Sequence, residues 1–318
     1  MSRVSRGTLA PIAVIIPTVG RVRVLEVVLR GLLSQGVLPQ EVVIVDASAD
    51  DSVERLCKPY RGIYTGRIVY EKAKRRGAAA QRNQGVAAST QAYILFMDDD
   101  IELGPDCVGK LWAFLKDDAR KIWGGVNAMI VNQQYSSPGP VSRWMFRLMS
   151  GQKLASYAGQ CIGPVMTLLP QDDPSLPEYV DVGWLNTTCT LYRREALPNP
   201  PFADHFVGYS LMEDVDLSLR VRRRWKLANA RTARILHNSQ PGAHKDNVCE
   251  VRRMELVNRY YVMTRTLGQH SPSDYLKLLL FELFSLLTPL ATGRDAWRQL
   301  PSVVLGKLQG CVELCRHR

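Results

Sequence analysis

Strand-like and helix-like segments alternate over the first hundred residues of this 318-residue chain. Runs of β-branched and aromatic residues predict buried strands, and segments with apolar residues at helical spacing separate them. The predicted strands cover residues 12–16, 41–46, 67–70 and 92–97, and the predicted helices cover 22–35, 52–57 and 78–89. This alternation predicts an α/β fold, built on a mixed, mainly parallel sheet with helices on both faces.

Polar residues follow three of the predicted strands directly. Thr18 comes after the first strand, Asp46 ends the second, and Asp98–Asp100 follow the fourth. Ligands of such sheets bind beyond the carboxyl ends of the strands, so these residues predict a binding site at one edge of the sheet.

The acidic triplet suggests what this edge binds. In an extended segment, residues two apart point to the same side, so Asp98 and Asp100 can converge while Asp99 faces away. Two neighbouring carboxylates repel each other unless a hard cation such as Mg²⁺ or Mn²⁺ neutralises them. The triplet alone leaves a solvated acidic turn as an equal alternative.

A second acidic cluster opens a predicted helix at residues 210–227. Ser210 and Glu213 have the spacing of a capping box, in which each side chain bonds to the backbone at the other's position. Glu213 and Asp214 are therefore either helix-start residues, which their spacing favours, or candidates for a general base. A short predicted strand, 233–236, then ends at His237, which is a candidate metal ligand or a hydrogen-bonding residue.

Charge and cysteine content narrow the classes of function. Residues 219–318 contain 18 Lys/Arg and 7 Asp/Glu, whereas residues 1–218 contain 23 of each, so the last third carries the whole net charge of +11. Nucleic acid is not expected as a partner, because neither an RNA-recognition motif nor zinc-finger spacing occurs. The seven scattered cysteines form no Cys-x-x-Cys pair, which indicates a reducing compartment without structural zinc or disulfides.

The basic C-terminal region, 241–318, predicts amphipathic helices at 248–266 and 274–288. Charged residues argue against a spanning segment, whereas a wide apolar face with flanking Arg and Lys fits attachment to an anionic membrane surface. Packing on the catalytic domain or on a second copy, as in a homodimer, is the alternative. The first apolar run, Ile12–Ile16, is too short for a secretory signal, so we expect a cytoplasmic protein that is peripheral on the inner face of the cell membrane.

The ordered set of segments resembles family 2 glycosyltransferases of the GT-A fold, over about residues 10–240. The matching segments are the strand and loop at 15–21, the strand and acid at 43–50, the Arg-Asn segment at 77–83, the Asp-x-Asp motif at 96–100, the Glu-Asp helix at 208–220, and Ile235-Leu236-His237.

This resemblance implies residue roles. Asp98, Asp100 and His237 would hold Mg²⁺ or Mn²⁺ against the diphosphate of a nucleoside-diphosphate sugar, and Asp214 would be the catalytic base. Trp184, Asn186 and Glu213 would lie on the acceptor side, although Trp184 is equally consistent with a core residue. The donor-binding residues would be Pro17, Thr18, Arg21, Asp46, Arg82, Asn83, Asp98 and Asp99.

The resemblance also implies an organisation and an activity. Residues 1–240 would be the catalytic domain, with a nucleotide-sugar-binding half at about 10–104 and an acceptor-binding half at 105–240. We expect an inverting hexosyltransferase that acts on a glycan or lipid-linked acceptor in the biosynthesis of cell-surface polysaccharide or glycoconjugate. The absence of a Gln-x-x-Arg-Trp sequence favours a non-processive enzyme. A sugar-phosphate nucleotidyltransferase and an inactive nucleotide-sugar-binding scaffold are the alternatives. The sequence departs from the family at Asp46-Ala47-Ser48, where many relatives carry a second acid and a Gly.

Overall fold

The structure is a computed structural model that describes residues 7–240, 247–287 and 294–316. The chain forms two compact units: the first comprises residues up to 135 and 169–239, and the second comprises 136–168 and the residues from 240 onward. The second unit therefore takes a segment from the middle of the chain as well as the C-terminal region. The domain boundary that the sequence suggests at residue 240 stays a prediction.

The secondary structure follows the alternation seen in the sequence and extends most of its segments. The strands are β1 (Thr8–Thr18), β2 (Val37–Asp46), β3 (Arg67–Lys72), β4 (Tyr93–Met97), β5 (Ile101–Leu103), β6 (Trp123–Ile130), β7 (Cys161–Ile162), β8 (Met166–Thr167), β9 (Tyr179–Asp181), β10 (Cys189–Arg193) and β11 (Lys226–His237). The α-helices are α1 (Val22–Leu33), α2 (Ser52–Ile63), α3 (Ala78–Ala87), α4 (Cys107–Lys116), α5 (Pro140–Ser150), α6 (Glu213–Arg222), α7 (Val248–Tyr261), α8 (Pro272–Leu287) and α9 (Arg294–Arg316).

Within the described residues, nine strands form the sheet of the first unit. Their order is β3-β2-β1-β4-β10-β6-β11-β5, with β9 also paired to β11. Strands β1 to β4 are mutually parallel, and β10 runs antiparallel between β4 and β6. Thr18 at the end of β1 lies in register with Asp46 at the end of β2, so the polar strand ends meet at one edge as predicted.

Helices cover both faces of this sheet, which confirms the predicted fold class. On one face, Ile12, Val14 and Ile16 of β1 belong to a buried apolar cluster that includes residues of α1, α2 and α4. On the other face, α3 approaches so closely that a Cβ on Gly85 would lie 2.4 Å from Ile15. Glycine is therefore needed at position 85 for the helix that carries Arg82 to reach its place on the sheet.

The boundary between α6 and β11 differs from the prediction. The sequence pattern continues the helix to Leu227, but the helix ends at Arg222 and the strand begins at Lys226. Lys226 is in register with Trp123 of β6, and Ala228 is in register with Asp181 of β9. Strand pairing on both sides thus overrides the helical spacing of this segment, because only the folded sheet supplies those partners.

The second unit is helical in its described part, apart from the two-stranded β7–β8 hairpin. Helix α9 packs against α7 at Gly306, where a Cβ would lie 2.2 Å from the carbonyl oxygen of Cys249, so a larger residue would separate these helices. The predicted helix 248–266 is observed as α7 followed by a π-helical turn at Val262–Thr266. The end of the predicted helix 274–288, Thr288, lies outside the described residues.

Helix α8 has its polar side turned inward. Glu282 forms ion pairs with Lys307 and with Arg259. Leu278, one helical turn before Glu282, is buried. Four other leucines of this helix face outward, with 48–60% of their surface exposed: Leu276, Leu279, Leu283 and Leu287. Leu280 and Leu286 are half-buried. In the described parts of the chain, no helix has the length and apolar content needed to cross a bilayer.

Candidate active site

The ends of β1 and β2 are joined by buried hydrogen bonds. The carboxylate of Asp46 is fully buried and accepts hydrogen bonds from the backbone N–H and the hydroxyl of Ser48 and from the hydroxyl of Tyr70. Ser48 in turn accepts a hydrogen bond of 2.6 Å from the backbone of Gly20. The side chain of Gln81 donates to the carbonyl oxygens of Thr18 and Val45. These bonds fix the loop that carries Arg21 relative to both strands.

The acidic triplet lies in the turn between β4 and β5, not in an extended segment. Ligand atoms of Asp98, Asp100 and His237 nevertheless all lie within 4.8 Å of one another, because β11 pairs with β5 and brings its last residue beside the triplet. Pairing of distant strands therefore decides which carboxylates converge, and the alternation of side chains predicted for an extended segment does not apply here.

Asp99 contacts Thr18 and Arg21, and Arg21 also reaches Asp100 at 3.4 Å. Asp99 accepts a hydrogen bond of 2.6 Å from Thr18 and forms an ion pair of 2.9 Å with Arg21. Burial raises the pKa of Asp99 to about 6; the Thr18 and Arg21 contacts oppose this shift, and the charge of Asp100 adds to it. Pro17, one residue before Thr18, is half-buried within β1.

His237 is oriented by residues from both sides of its ring. Nε2 lies 3.2 Å from Oδ1 of Asp100, and Nδ1 lies 3.2 Å from Nε2 of Gln133. For Nε2 to donate its lone pair to a metal, Nδ1 must carry the proton. A rotated Gln133 amide then offers its oxygen as the acceptor of a hydrogen bond from Nδ1. Gln133 is a site residue that the sequence does not signal, because it lies 104 residues from its partner.

Arg82 joins the two acidic clusters. One guanidinium nitrogen lies 2.7 Å from Asp98 and another lies 2.7 Å from Glu213, while only 4% of the side chain is exposed. Its Nε is buried and makes no hydrogen bond within the described residues. The guanidinium also lies over the ring of Phe202, 5.7 Å from its centre. Arg82 therefore sets the spacing between the triplet and the start of α6.

The start of α6 is not capped as the sequence suggests, so the predicted capping box is wrong. Met212 occupies the cap position with φ +69° and makes no side-chain cap bond. The hydroxyl of Ser210 donates instead to the carbonyl oxygens of Phe206 and Gly208. The positive end of the helix dipole faces Glu213 and Asp214, and the backbone N–H of Val215 donates to the carboxylate of Asp214.

Both carboxyls of this pair hold their protons more tightly than usual. Burial raises the pKa of Glu213, and the neighbouring Asp214 raises it further against the charge of Arg82. Burial also raises the pKa of Asp214, against a hydrogen bond from the backbone of Val215 and the charge of Arg82. A carboxyl with a raised pKa in this position can take a proton near neutral pH.

The remaining predicted site residues lie near the same helices. Asn83 uses both atoms of its amide on the backbone of Phe202, and so it anchors that loop. Trp184 is buried in the segment after β9, and the next residue, Leu185, bonds through its backbone to the hydroxyl of Ser218 on α6. Asn186 is half-buried, and its Oδ1 makes no hydrogen bond within the described residues.

Comparison with solved structures identifies the same fold in sugar-transferring enzymes. The mannosyltransferase PcManGT from Pyrobaculum calidifontis, solved with GDP-Man and Mn²⁺, has 13% identity and a TM-score of 0.56, covering 95% of this chain and 87% of that one. S. aureus TarS 1-349, solved with UDP-GlcNAc, has 16% identity and a TM-score of 0.51, covering 84% of this chain and 69% of that one. No match was found among curated proteins.

The sequence profile of glycosyl transferase family 2 matches residues 13–197, which is more than half of the chain. The matched region contains the ends of β1 and β2, the acidic triplet and Arg82. The chain therefore belongs to glycosyl transferase family 2, and the protein is a glycosyltransferase with a GT-A-like fold.

Proposed function

We propose that the protein is an inverting, metal-dependent and non-processive hexosyltransferase that uses a nucleoside-diphosphate sugar. One observation carries this proposal. Arg82, which is buried, forms ion pairs with Asp98 of the metal-ligand group and with Glu213 at the start of α6. The other members of the metal-ligand group are Asp100 and His237. Donor and base would then lie on opposite sides of one arginine. A direct displacement requires the attacking hydroxyl and the leaving diphosphate on opposite sides of the anomeric carbon, and a base on α6 with a metal at the triplet would allow this.

The residues present fit a divalent cation. Two carboxylates and one imidazole offer a hard, mainly oxygen donor set, which suits Mg²⁺ or Mn²⁺. Mn²⁺ is present in the similar mannosyltransferase structure. A cation bound by these residues would neutralise the donor diphosphate and its leaving charge.

On the donor side, we assign the nucleoside to the edge formed by Pro17, Thr18 and Asp46. Asp46 would act by fixing Ser48 and Tyr70, since both of its oxygens already accept hydrogen bonds. The charged side chains behind the diphosphate would be Arg21, Arg82 and Asp99. Asn83 would support them by holding the Phe202 loop.

On the acceptor side, Asp214 is the proposed base. It would take the proton of the acceptor hydroxyl as that oxygen attacks the anomeric carbon. The bond from this carbon to the diphosphate oxygen breaks at the same time, which inverts the configuration and releases the nucleoside diphosphate. Glu213, Trp184 and Asn186 would position the acceptor, and Asn186 offers a buried oxygen without a hydrogen bond within the described residues.

Features of the second unit support a proposal for where the acceptor lies. We propose a glycan or lipid-linked acceptor of cell-surface polysaccharide or glycoconjugate biosynthesis, reached from the cytoplasmic face of the membrane. The outward leucines of α8 and the excess of Arg and Lys after residue 218 favour a peripheral membrane protein. A homodimer through the same leucines is the competing arrangement.

The experiment is a panel of nucleotide sugars, beginning with GDP-mannose and UDP-N-acetylglucosamine, screened by thermal unfolding with and without Mn²⁺. We expect one donor to raise the midpoint of unfolding only when the metal is present. Asp100→Asn is the matched variant and should lose this shift. A protein that no nucleotide sugar stabilises in the presence of Mn²⁺ or Mg²⁺ would contradict the proposal.

A further inference from the structure

Helix α5 combines exposed apolar residues with exposed cations. Its buried face consists of Met145, Phe146 and Met149, which pack within the second unit. Trp144 is nevertheless 61% exposed, and Val141 is 68% exposed. None of the residues of this helix belongs to the proposed catalytic site.

The exposed residues of α5 form two adjacent stripes. At 100° per residue, Val141, Trp144 and Leu148 share one side of the helix. Arg143 and Arg147, both exposed, lie on the neighbouring side, away from the buried face. An apolar stripe that contains an exposed tryptophan and is bordered by cations is typical of helices that lie in the headgroup region of a bilayer.

Charge distinguishes a membrane from an ordinary protein partner here. Residues 119–171 contain no Asp or Glu, so no carboxylate of this stretch neutralises the cations of α5. Lys153, exposed just after the helix ends at the left-handed Gly151, adds a third positive charge beside the 38%-exposed Leu154. Such a surface complements anionic lipid headgroups together with the apolar layer beneath them.

We propose that α5 is a membrane-contacting helix that inserts Trp144 into the interface of an anionic bilayer, with Arg143 and Arg147 on the headgroups. The proposal extends the membrane attachment proposed above to a segment outside the C-terminal region. Helix α5 packs against α8 in the same unit, and both helices expose apolar side chains. Membrane contact would therefore be made by two parts of the chain that lie more than a hundred residues apart.

The experiment is co-sedimentation of the full chain with vesicles of 30% phosphatidylglycerol in phosphatidylcholine, compared with pure phosphatidylcholine. The wild-type protein should bind the anionic vesicles, and this binding should weaken as the salt concentration is raised. The double variant Arg143→Gln/Arg147→Gln should bind about 30-fold more weakly, since each cation at such a surface contributes about fivefold. Trp144→Ala should bind roughly tenfold more weakly.

The matched control is Lys58→Gln/Arg61→Gln with Ile63→Ala on α2, which removes two exposed cations and an exposed apolar residue from the first unit. This control should bind vesicles like wild type. A second readout is quenching by brominated lipid, in which the difference between wild type and Trp144→Phe isolates the signal of Trp144.

The outcomes separate this proposal from the others. Loss of binding in a Leu276→Ser/Leu279→Ser variant, with unchanged binding in the α5 variants, would overturn the role of α5 and leave the attachment by α8. Absence of binding by wild type would overturn both. A wild-type dimer that becomes monomeric in Trp144→Ala would instead identify α5 as a contact between copies. Metal-dependent donor binding should be unchanged in all α5 variants. A failure of the proposed donor binding would therefore be seen in that assay and not in the vesicle assay.

Discussion

The two acidic clusters of the first unit are neutralised in different ways. Each carboxylate of the triplet has a cationic or protonatable partner: Arg82 for Asp98, Arg21 for Asp99, and His237 for Asp100. Among the described residues, the pair at the start of α6 has one ion pair, from Glu213 to Arg82. The surroundings of Asp98–Asp100 therefore favour charged carboxylates, whereas the surroundings of Glu213 and Asp214 favour a bound proton.

The largest expected effect comes from the base. Asp214→Asn should reduce turnover by about 10²- to 10⁴-fold, because it removes proton transfer from the acceptor hydroxyl. Metal-dependent donor binding should be kept, since the residue lies outside the metal-ligand group. Steady-state transfer and donor thermal shift measure the two properties. Undiminished turnover would remove Asp214 as the base and make the two clusters less different than proposed.

The triplet provides the next test. Asp100→Ala should weaken Mn²⁺-dependent donor binding by at least about 100-fold, because it removes a ligand and the partner of His237. Asp99→Ala, the matched control within the triplet, should be milder, since Asp99 lies outside the metal-ligand group and contacts Thr18 and Arg21. Calorimetric titration of the metal and donor measures both. Equal losses in the two variants would contradict the division of roles.

Arg82 links the clusters, and its removal should destabilise the protein. Arg82→Met leaves two carboxylates without their shared cation, which should lower the free energy of unfolding by roughly 3–5 kcal/mol. Arg82→Lys keeps the charge but cannot reach both carboxylates with a planar fork, so it should fall between wild type and Arg82→Met. Urea unfolding in the absence of metal measures the difference. A neutral effect of Arg82→Met would mean that the clusters are independent.

The smallest effect is a pH dependence. Because the pKa of Glu213 is raised to about 8, the folded protein binds a proton more tightly than the unfolded chain does. Its contribution to stability is therefore full below the ordinary carboxyl pKa and is lost as pH rises toward 8. Glu213→Gln should remove roughly 1–3 kcal/mol of this change from the metal-free protein.

The control for this slope is Glu250, whose pKa is lowered chiefly by its hydrogen bond from Arg253. Glu250 contributes stability that is lost only as pH falls. Glu250→Gln should therefore remove a pH dependence of the opposite sign to that of Glu213. Urea unfolding over a pH series compares the two variants with wild type. A slope that Glu213→Gln leaves unchanged would show that the pair holds no extra proton.

Much of the proposed donor side can be predicted from sequence because its residues follow strands directly. Thr18 and Asp46 lie at the ends of β1 and β2, and parallel pairing brings such ends together without further information. The proposed acceptor side depends on contacts between distant segments. The hydroxyl of Ser218 holds the backbone of Leu185, 33 residues away, and no local pattern announces that bond.

The sequence by itself determined the alternating α/β fold, the acidic triplet at a strand end and the basic last third of the chain. These depend on local periodicity and composition, which are properties of neighbouring residues. The tertiary structure decided that Asp100 meets His237, that Arg82 serves both clusters, and that α8 turns Glu282 inward. Each of these depends on long-range packing, in which a buried charge must find its partner wherever the fold supplies one.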